Sequence, residues 1–488
     1  MKRLMSFTVV PILLSAYCVP LFSDDGFEPP LNPYLADSPW PMLHRNPYQQ
    51  ASSPHPGPES TESCDLSFLK AEPVSIGLLY SGIYSSGGRV LWGNTLRKVY
   101  KIDPNGKTWD VIDTFKRKQS IARALSGAYT VLDNFGIYYV PRGRSIDAYG
   151  DTVANDAYSP IEKKRSFQIP DNQMADTDER IVGMNMTYDG WLAFVTDRAN
   201  VGVVSRSMDR SLMLRLADEE SISNSIAVDE NGGIYIVTSK KMYRVEWDGT
   251  KLSVKWAVAY QTGKQPVGGL GTGSGTTPTL MGTAGGDRFV VIADAQKLMH
   301  LVLFWRDEIP PDWAGLSGRD RRIAAEVPIR FGNSLAEASF TEQSVLVRGY
   351  GAVVVNNAYG KLFPWGRGVW SKATIFMSNS KGVAPYGMEK FMWDSGLREL
   401  KSAWANAEIS CPNGFPTMSS SSGLVYCIGQ RDEEWNLEAV NWDSGRSAFY
   451  VPFGSSRARY NSFYAATEIG LEGNILSGVF GGFVRVGP

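Results

Sequence analysis

The chain has 488 residues, and its 49 Lys and Arg nearly balance 50 Asp and Glu, so the formal net charge is −1 and no net field recruits nucleic acid or an anionic membrane. At 43% hydrophobic and 20% charged residues, global disorder is excluded. The length is great for one compact core but ordinary for a closed array of small sheets, and 49 glycines with 12% aromatics suit many short strands joined by tight turns.

Lys2 and Arg3 precede an apolar run from Leu4 to Phe22, broken by Pro11 and Pro20. This pattern predicts an export signal over residues 1–23, cleaved after Ala16 or after Ser23. An uncleaved membrane anchor is the alternative that length allows. Lipid attachment at Cys18 fits less well, because bulky Tyr17 stands where a small residue is needed. No later segment is apolar enough to span a membrane, so the body is expected to be exported, periplasmic or secreted, and not membrane-spanning. Residues 24–72 are rich in Pro, Ser and Asn, which favours extended structure. Trp40-Pro-Met-Leu-His-Arg-Asn46 supplies the anchors that a flexible linker lacks, and predicts an arm packed on the body.

From residue 73 to 488 one module recurs: an apolar strand, Asp/Asn/Gly punctuation, a second strand, a polar break and a third strand. Val182 to Thr196 and Ser225 to Thr238 are the clearest copies. Units open near Val74, Ser126, Arg180, Ser221, Gly275, Ala336, Phe415 and Asn461. Their spacing, about 55 residues, is on the scale of four-stranded propeller blades with some long loops. Alternation in Lys98–Ile102, Gly136–Val140 and Met242–Trp247 supports strands, and no long 3.6-residue apolar period appears. The expected fold is an all-β, single-domain β-propeller of eight blades. Seven is the alternative, because the wide gap between Ala336 and Phe415 holds the Gly/Trp-rich stretch Phe363–Trp370.

A second element recurs in Ile102-Asp-Pro-Asn-Gly-Lys-Thr-Trp109, Trp247-Asp-Gly-Thr-Lys-Leu-Ser-Val-Lys-Trp256, Trp393-Asp-Ser-Gly-Leu-Arg-Glu-Leu-Lys-Ser-Ala-Trp404 and Trp442-Asp-Ser-Gly-Arg446. It reads as a hairpin whose Asp and Gly make the turn while a downstream Trp clamps the neighbouring blade. These turns resemble those of quinoprotein-type propellers, whose repeats read Asp-x-x-Thr-Gly-x-x-x-Trp, and the arm is similar to the Trp-Pro-Met opening of that superfamily. Ile226-Ala-Val-Asp-Glu-Asn-Gly-Gly-Ile-Tyr-Ile236 is similar to NHL-type and gluconolactonase-type repeats. The resemblance covers about 74 to 488 and implies the propeller fold. Quinoprotein alcohol dehydrogenases carry adjacent cysteines beside the cofactor, and here no two cysteines are adjacent. The resemblance therefore implies their fold without their quinone.

In such a fold the starts of the innermost strands converge on a central channel, which puts Asn185, Asn224, Thr276, Glu337, Asn413 and Asn461 there. Their oxygens suit a hard cation such as Ca²⁺. The gluconolactonase-like resemblance implies ligand roles for Asn224 and Glu337, although Ser225 replaces the family's Gly and no third Asp stands out. Capping of inner strands around channel water is the alternative. Three histidines, His44, His55 and His300, cannot supply a His-rich metal site. His300 reads as a satisfied strand residue, with a general base as the alternative, and His44 as packing. Cys411 and Cys427 bracket a strand-turn-strand segment and are expected to pair, leaving Cys64 over. Gly268–Gly275 lacks the Lys-Ser/Thr ending of a phosphate loop, and Arg319-Asp-Arg-Arg322 reads as a solvated loop. Two functions follow: a module that binds a small molecule or a protein partner, or a divalent-metal-assisted hydrolase of a lactone or ester in the channel.

Overall fold

The computed structural model describes residues 27–105, 109–117, 128–263, 272–282, 285–360 and 374–488. The export signal with Cys18, the stretch Phe363–Trp370 and the first half of Gly268–Gly275 lie outside the described residues. Eight sheets form an eight-bladed β-propeller, antiparallel throughout except that Ser52–Ser53 of the arm adds in parallel to the inner edge of blade 7. The innermost strands, numbered by blade in chain order, are Ser75–Tyr80, Val131–Leu132, Ile181–Met186, Ala227–Val228, Thr279–Met281, Leu346–Arg348, Thr417–Ser419 and Thr467–Ile469. Each leads outward through consecutive hairpins, so all eight run the same way along the axis. We call the mouth at their C-terminal ends lower and the other upper. The openings read from sequence lie within a few residues of these strands, except that blade 6 starts at Leu346 and not near Ala336. An irregular connection fills the difference.

The arm ends sooner than expected. Asp65–Lys70 is a strand, paired antiparallel with Gly482–Gly487 from Asp65↔Gly487 to Lys70↔Gly482. It is the outermost strand of blade 8, so the first and last parts of the propeller close the ring together. This pairing gives the last strand's backbone groups their partners and removes an open edge.

The recurring turns work as hydrogen-bond hubs. Between the first two strands of blade 4, Asp229 accepts from the backbone N–H of Gly233 at 2.8 Å and from the Tyr235 hydroxyl at 2.6 Å. Asp133 does the same in blade 2 with Ile137 and Tyr139. The tryptophan hairpins clamp in both directions. Trp247 Nε1 of blade 4 donates to Asp189 of blade 3, while Trp256 Nε1 donates to the Arg306 carbonyl of blade 5. Trp393 and Trp404 of blade 6 likewise reach Asp287 of blade 5 and the Trp442 carbonyl of blade 7. In the Trp442 copy the turn is built by Asn441, whose Oδ1 accepts from the N–H groups of Asp443 and Ser444. Cys411 and Cys427 form a disulfide between the approach to blade 7 and its second strand, and both are buried.

Candidate functional site

The arm enters the middle of the ring. Trp40 is fully buried, and residues 40–51 hand backbone carbonyls outward to one blade after another. Tyr80 N–H donates to the Trp40 carbonyl, Leu132 to Pro41, Val228 to Pro47, Leu280 to Tyr48, Val347 to Gln50 and Met418 to Ala51, all at 2.8–3.0 Å. Asn185 Nδ2 of blade 3 also donates to Pro47, at 3.0 Å. Seven of the eight blades thus hold the arm, and Leu43 packs against Ile76 and Ala466 where blade 8 meets blade 1. The spiral needs left-handed backbone, found at His44, Arg45, Gln49 and Ala51 with φ of 59°, 72°, 63° and 54°. His44 is buried edge-on to Phe415, and neither ring nitrogen has a hydrogen-bond partner. Burial lowers its pKa to about 3, so it is neutral at pH 7.

The channel residues read from sequence are scattered among separate structural bonds. Asn185 donates to the Ile226 carbonyl as well as to Pro47, linking blades 3 and 4 through the arm. Asn224 Nδ2 donates to the Ser274 carbonyl at 2.7 Å, and Thr276 Oγ1 accepts from Ala293 N–H. Asn413 and Asn461 do come together: Asn413 Nδ2 lies 2.6 Å from Asn461 Oδ1, and both amides donate to the Ile375 carbonyl and the Ser378 hydroxyl. The Tyr359 hydroxyl bonds Asn413, and Tyr464 donates to Glu342 at 3.2 Å. Glu337 is elsewhere, with an 87% exposed side chain 3.6 Å from Lys297. The amide nitrogens of Asn185, Asn224, Asn413 and Asn461 are thus engaged in bonds within and between blades.

At the lower mouth the arm and blades 1 and 2 enclose a cleft of about 700 Å³. One wall is the arm, with Pro29, Pro33, Pro39 and Pro41. The other is the first turn of blade 1, Ser81 to Tyr84, with its counterpart in blade 2, Asp133 to Gly136. Large apolar side chains crowd the rim: Leu31 is 93%, Phe135 75% and Ile83 63% exposed. Inside, Ser38 Oγ is buried without a hydrogen-bond partner, and the buried Tyr84 hydroxyl faces the Asp151 carboxylate. Burial and the Asp151 carboxylate both raise the Tyr84 pKa. Asp151 is itself paired with fully buried Lys101 at 2.5 Å. The lining therefore offers apolar surface and a few polar groups beside a closed ion pair. Sequence reasoning missed this place. The signal was present as Ile83 and Phe135, apolar residues inside Ser-Gly-Ile-Tyr and Asp-Asn-Phe-Gly turns that are otherwise polar.

Among the described residues no helix is long and apolar enough to cross a membrane. No family model matches the chain. It is 46% identical to an uncharacterized protein of Archaeoglobus fulgidus over 467 residues, covering 94% of this chain and 89% of that one. Among solved structures it is similar to a europium-containing methanol dehydrogenase, with a TM-score of 0.56 at 11% identity, covering 92% of this chain and 98% of the other. That similarity shows the shared fold.

Proposed function

We propose, from the premise that this chain belongs to one family with the Archaeoglobus fulgidus protein, that it is a binding module whose ligand seats in the lower cleft. The observation that carries this reading is the cleft itself, of a size typical of small-molecule sites and with the exposed apolar side chains of Leu31, Ile83 and Phe135 at its rim. A ligand with a largely apolar body suits that rim. We propose further that the protein works outside the cytoplasm, a reading supported by the buried Cys411–Cys427 disulfide.

The chemistry named in the methanol dehydrogenase does not carry over. The arm occupies the lower part of the channel, and the amides of Asn413 and Asn461 above it are bound to each other and to blade 6. That donor set fits neither a quinone nor a lanthanide ion.

The test uses Gly82, which lines the cleft and has open space where a Cβ would stand. Fluorescence titration with anilinonaphthalene sulfonate, an amphipathic probe, is expected to give saturable one-site binding in the wild-type chain. Gly82→Phe fills the space and is expected to abolish that binding without lowering the melting temperature. Equal binding by both proteins, or no saturable binding by either, sinks the proposal.

A further inference from the structure

A second group of side chains lies apart from both channel and cleft, at the upper end of blade 5. Asp294 follows the second strand, Phe289–Ala293, and His300 opens the third, His300–Trp305, so one turn sets them together. Glu326 lies on the fourth strand opposite Val302, two residues on from His300 and hence on the same face. Ligating atoms of the three side chains all lie within 4.8 Å of one another.

The nitrogen of the Gln296 amide sits among them. Nε2 is 2.8 Å from Asp294 Oδ2, 3.0 Å from His300 Nδ1 and 3.4 Å from Glu326 Oε1. An amide nitrogen has two protons, and here it faces three acceptors. The imidazole is also over-committed. His300 Nδ1 lies 3.1 Å from Asp294 Oδ2 and needs a proton for that bond, yet needs its lone pair to accept from Gln296. No one neutral tautomer satisfies both contacts.

We propose that this is a divalent transition-metal site, with Asp294, His300 and Glu326 as ligands and Gln296 as the fourth. A cation at the position of the amide nitrogen takes a lone pair from all three groups at once. The Gln296 side chain then withdraws from that position and turns its amide so that the oxygen faces the ion. Asp294 is preorganised: it is fully buried, and its Oδ1 accepts the backbone N–H groups of Gln296 and His300 at 3.1 and 2.9 Å, leaving Oδ2 for the centre. Arg319 holds Glu326 bidentately from behind, as outer partners of metal carboxylates do. The His300 side chain is 20% exposed, which gives an ion a way in. Two carboxylates balance the charge of the ion and suit Mn²⁺, and the imidazole favours Zn²⁺ over Ca²⁺. Ala295 pairs with Thr262 at the end of blade 4, so an ion here clips the hairpin of blade 5 beside a seam between blades.

Isothermal titration of the chelator-dialysed full chain with Zn²⁺, and separately with Mn²⁺ and Ca²⁺, tests the site. One equivalent of Zn²⁺ or Mn²⁺ is expected to bind, with Ca²⁺ failing to compete and the melting temperature rising on addition. His300→Ala and Gln296→Ala are each expected to weaken binding at least about 10-fold, while melting without metal confirms that they fold. Absence of binding to the wild-type chain overturns the proposal. So does one equivalent bound with unchanged affinity by the His300→Ala/Gln296→Ala double variant, which puts the ion elsewhere.

Discussion

The two mouths of the propeller are held by different kinds of bond. At the lower mouth one continuous segment gives backbone carbonyls to the innermost strands of blade after blade. At the upper mouth discrete side chains join neighbours, as when Asn413 reaches Asn461 or Asn224 reaches Ser274. A carbonyl belongs to every residue type, so the lower attachment is indifferent to most substitutions but fails as a whole if the segment is lost. The upper attachment is a set of independent bonds, each open to removal by one mutation.

The largest expected effect is therefore removal of residues 1–53. This strips the acceptors from six innermost-strand N–H groups and the aromatic anchor Trp40, and thermal unfolding followed by circular dichroism is expected to lose its single cooperative transition. Retention of a sharp transition near the wild-type temperature would show that the ring stands without its centre.

A pH series sharpens the picture of the arm. His44 titrates near 6.5 when unfolded and near 3 in the folded chain, so the unfolded state binds more protons between those values. Stability from its neutral form is complete above pH 6.5 and is lost as pH falls toward 3, by at most about 1.4 kcal/mol per pH unit. His44→Leu is expected to flatten part of the acid limb in urea titrations. His55, lowered to about 4 chiefly by burial, contributes in the same direction and leaves a residual slope. Parallel acid limbs in wild type and variant would contradict the buried, neutral state of His44.

At the upper mouth, Asn413→Ala removes an amide nitrogen that lies within hydrogen-bond reach of Asn461, Ile375 and Ser378, and is expected to cost about 1–3 kcal/mol in denaturant unfolding. The smallest effect belongs to Ala51→Gly in the arm. It keeps the carbonyl that Met418 uses and relieves a φ of 54°, so the change is expected to be neutral or stabilising by under about 1 kcal/mol. If Ala51→Gly costs more than Asn413→Ala, the contrast between the mouths is wrong.

The blades were legible because strand alternation and Asp/Gly turns are local, and one such turn in each copy suffices to mark a repeat. The tryptophan clamps were legible for the same reason, although only the downstream Trp was read as reaching a neighbour. The path of the arm was not legible. Its bonds are made by carbonyls, which leave no mark on residue identity, and by left-handed His44 and Arg45, which no local rule assigns. Asn224, Asn413 and Asn461 precede innermost strands and Asn185 lies within one, but a sequence does not say whether an amide faces a ligand or the next blade. The metal-ligating group on blade 5 joins residues up to 32 apart along the chain through a strand register, and only His300 among them had drawn attention.

The shared blade 8 sets an order of events during synthesis. Its outer strand, Asp65–Lys70, is made before the other seven blades, and its partner Gly482–Gly487 only after them. Until then the chain is an open arc with two raw edges, while contacts such as that of Leu78 with Glu468 span 390 residues. Closure is then a late, slow and long-range step. Loss of the strand Gly482–Gly487 keeps seven blades but leaves open edges on Asp65–Lys70 and on Ile475–Val479, where copies can add to one another edge to edge. That one strand therefore decides whether the product is a discrete ring or an open, self-associating chain.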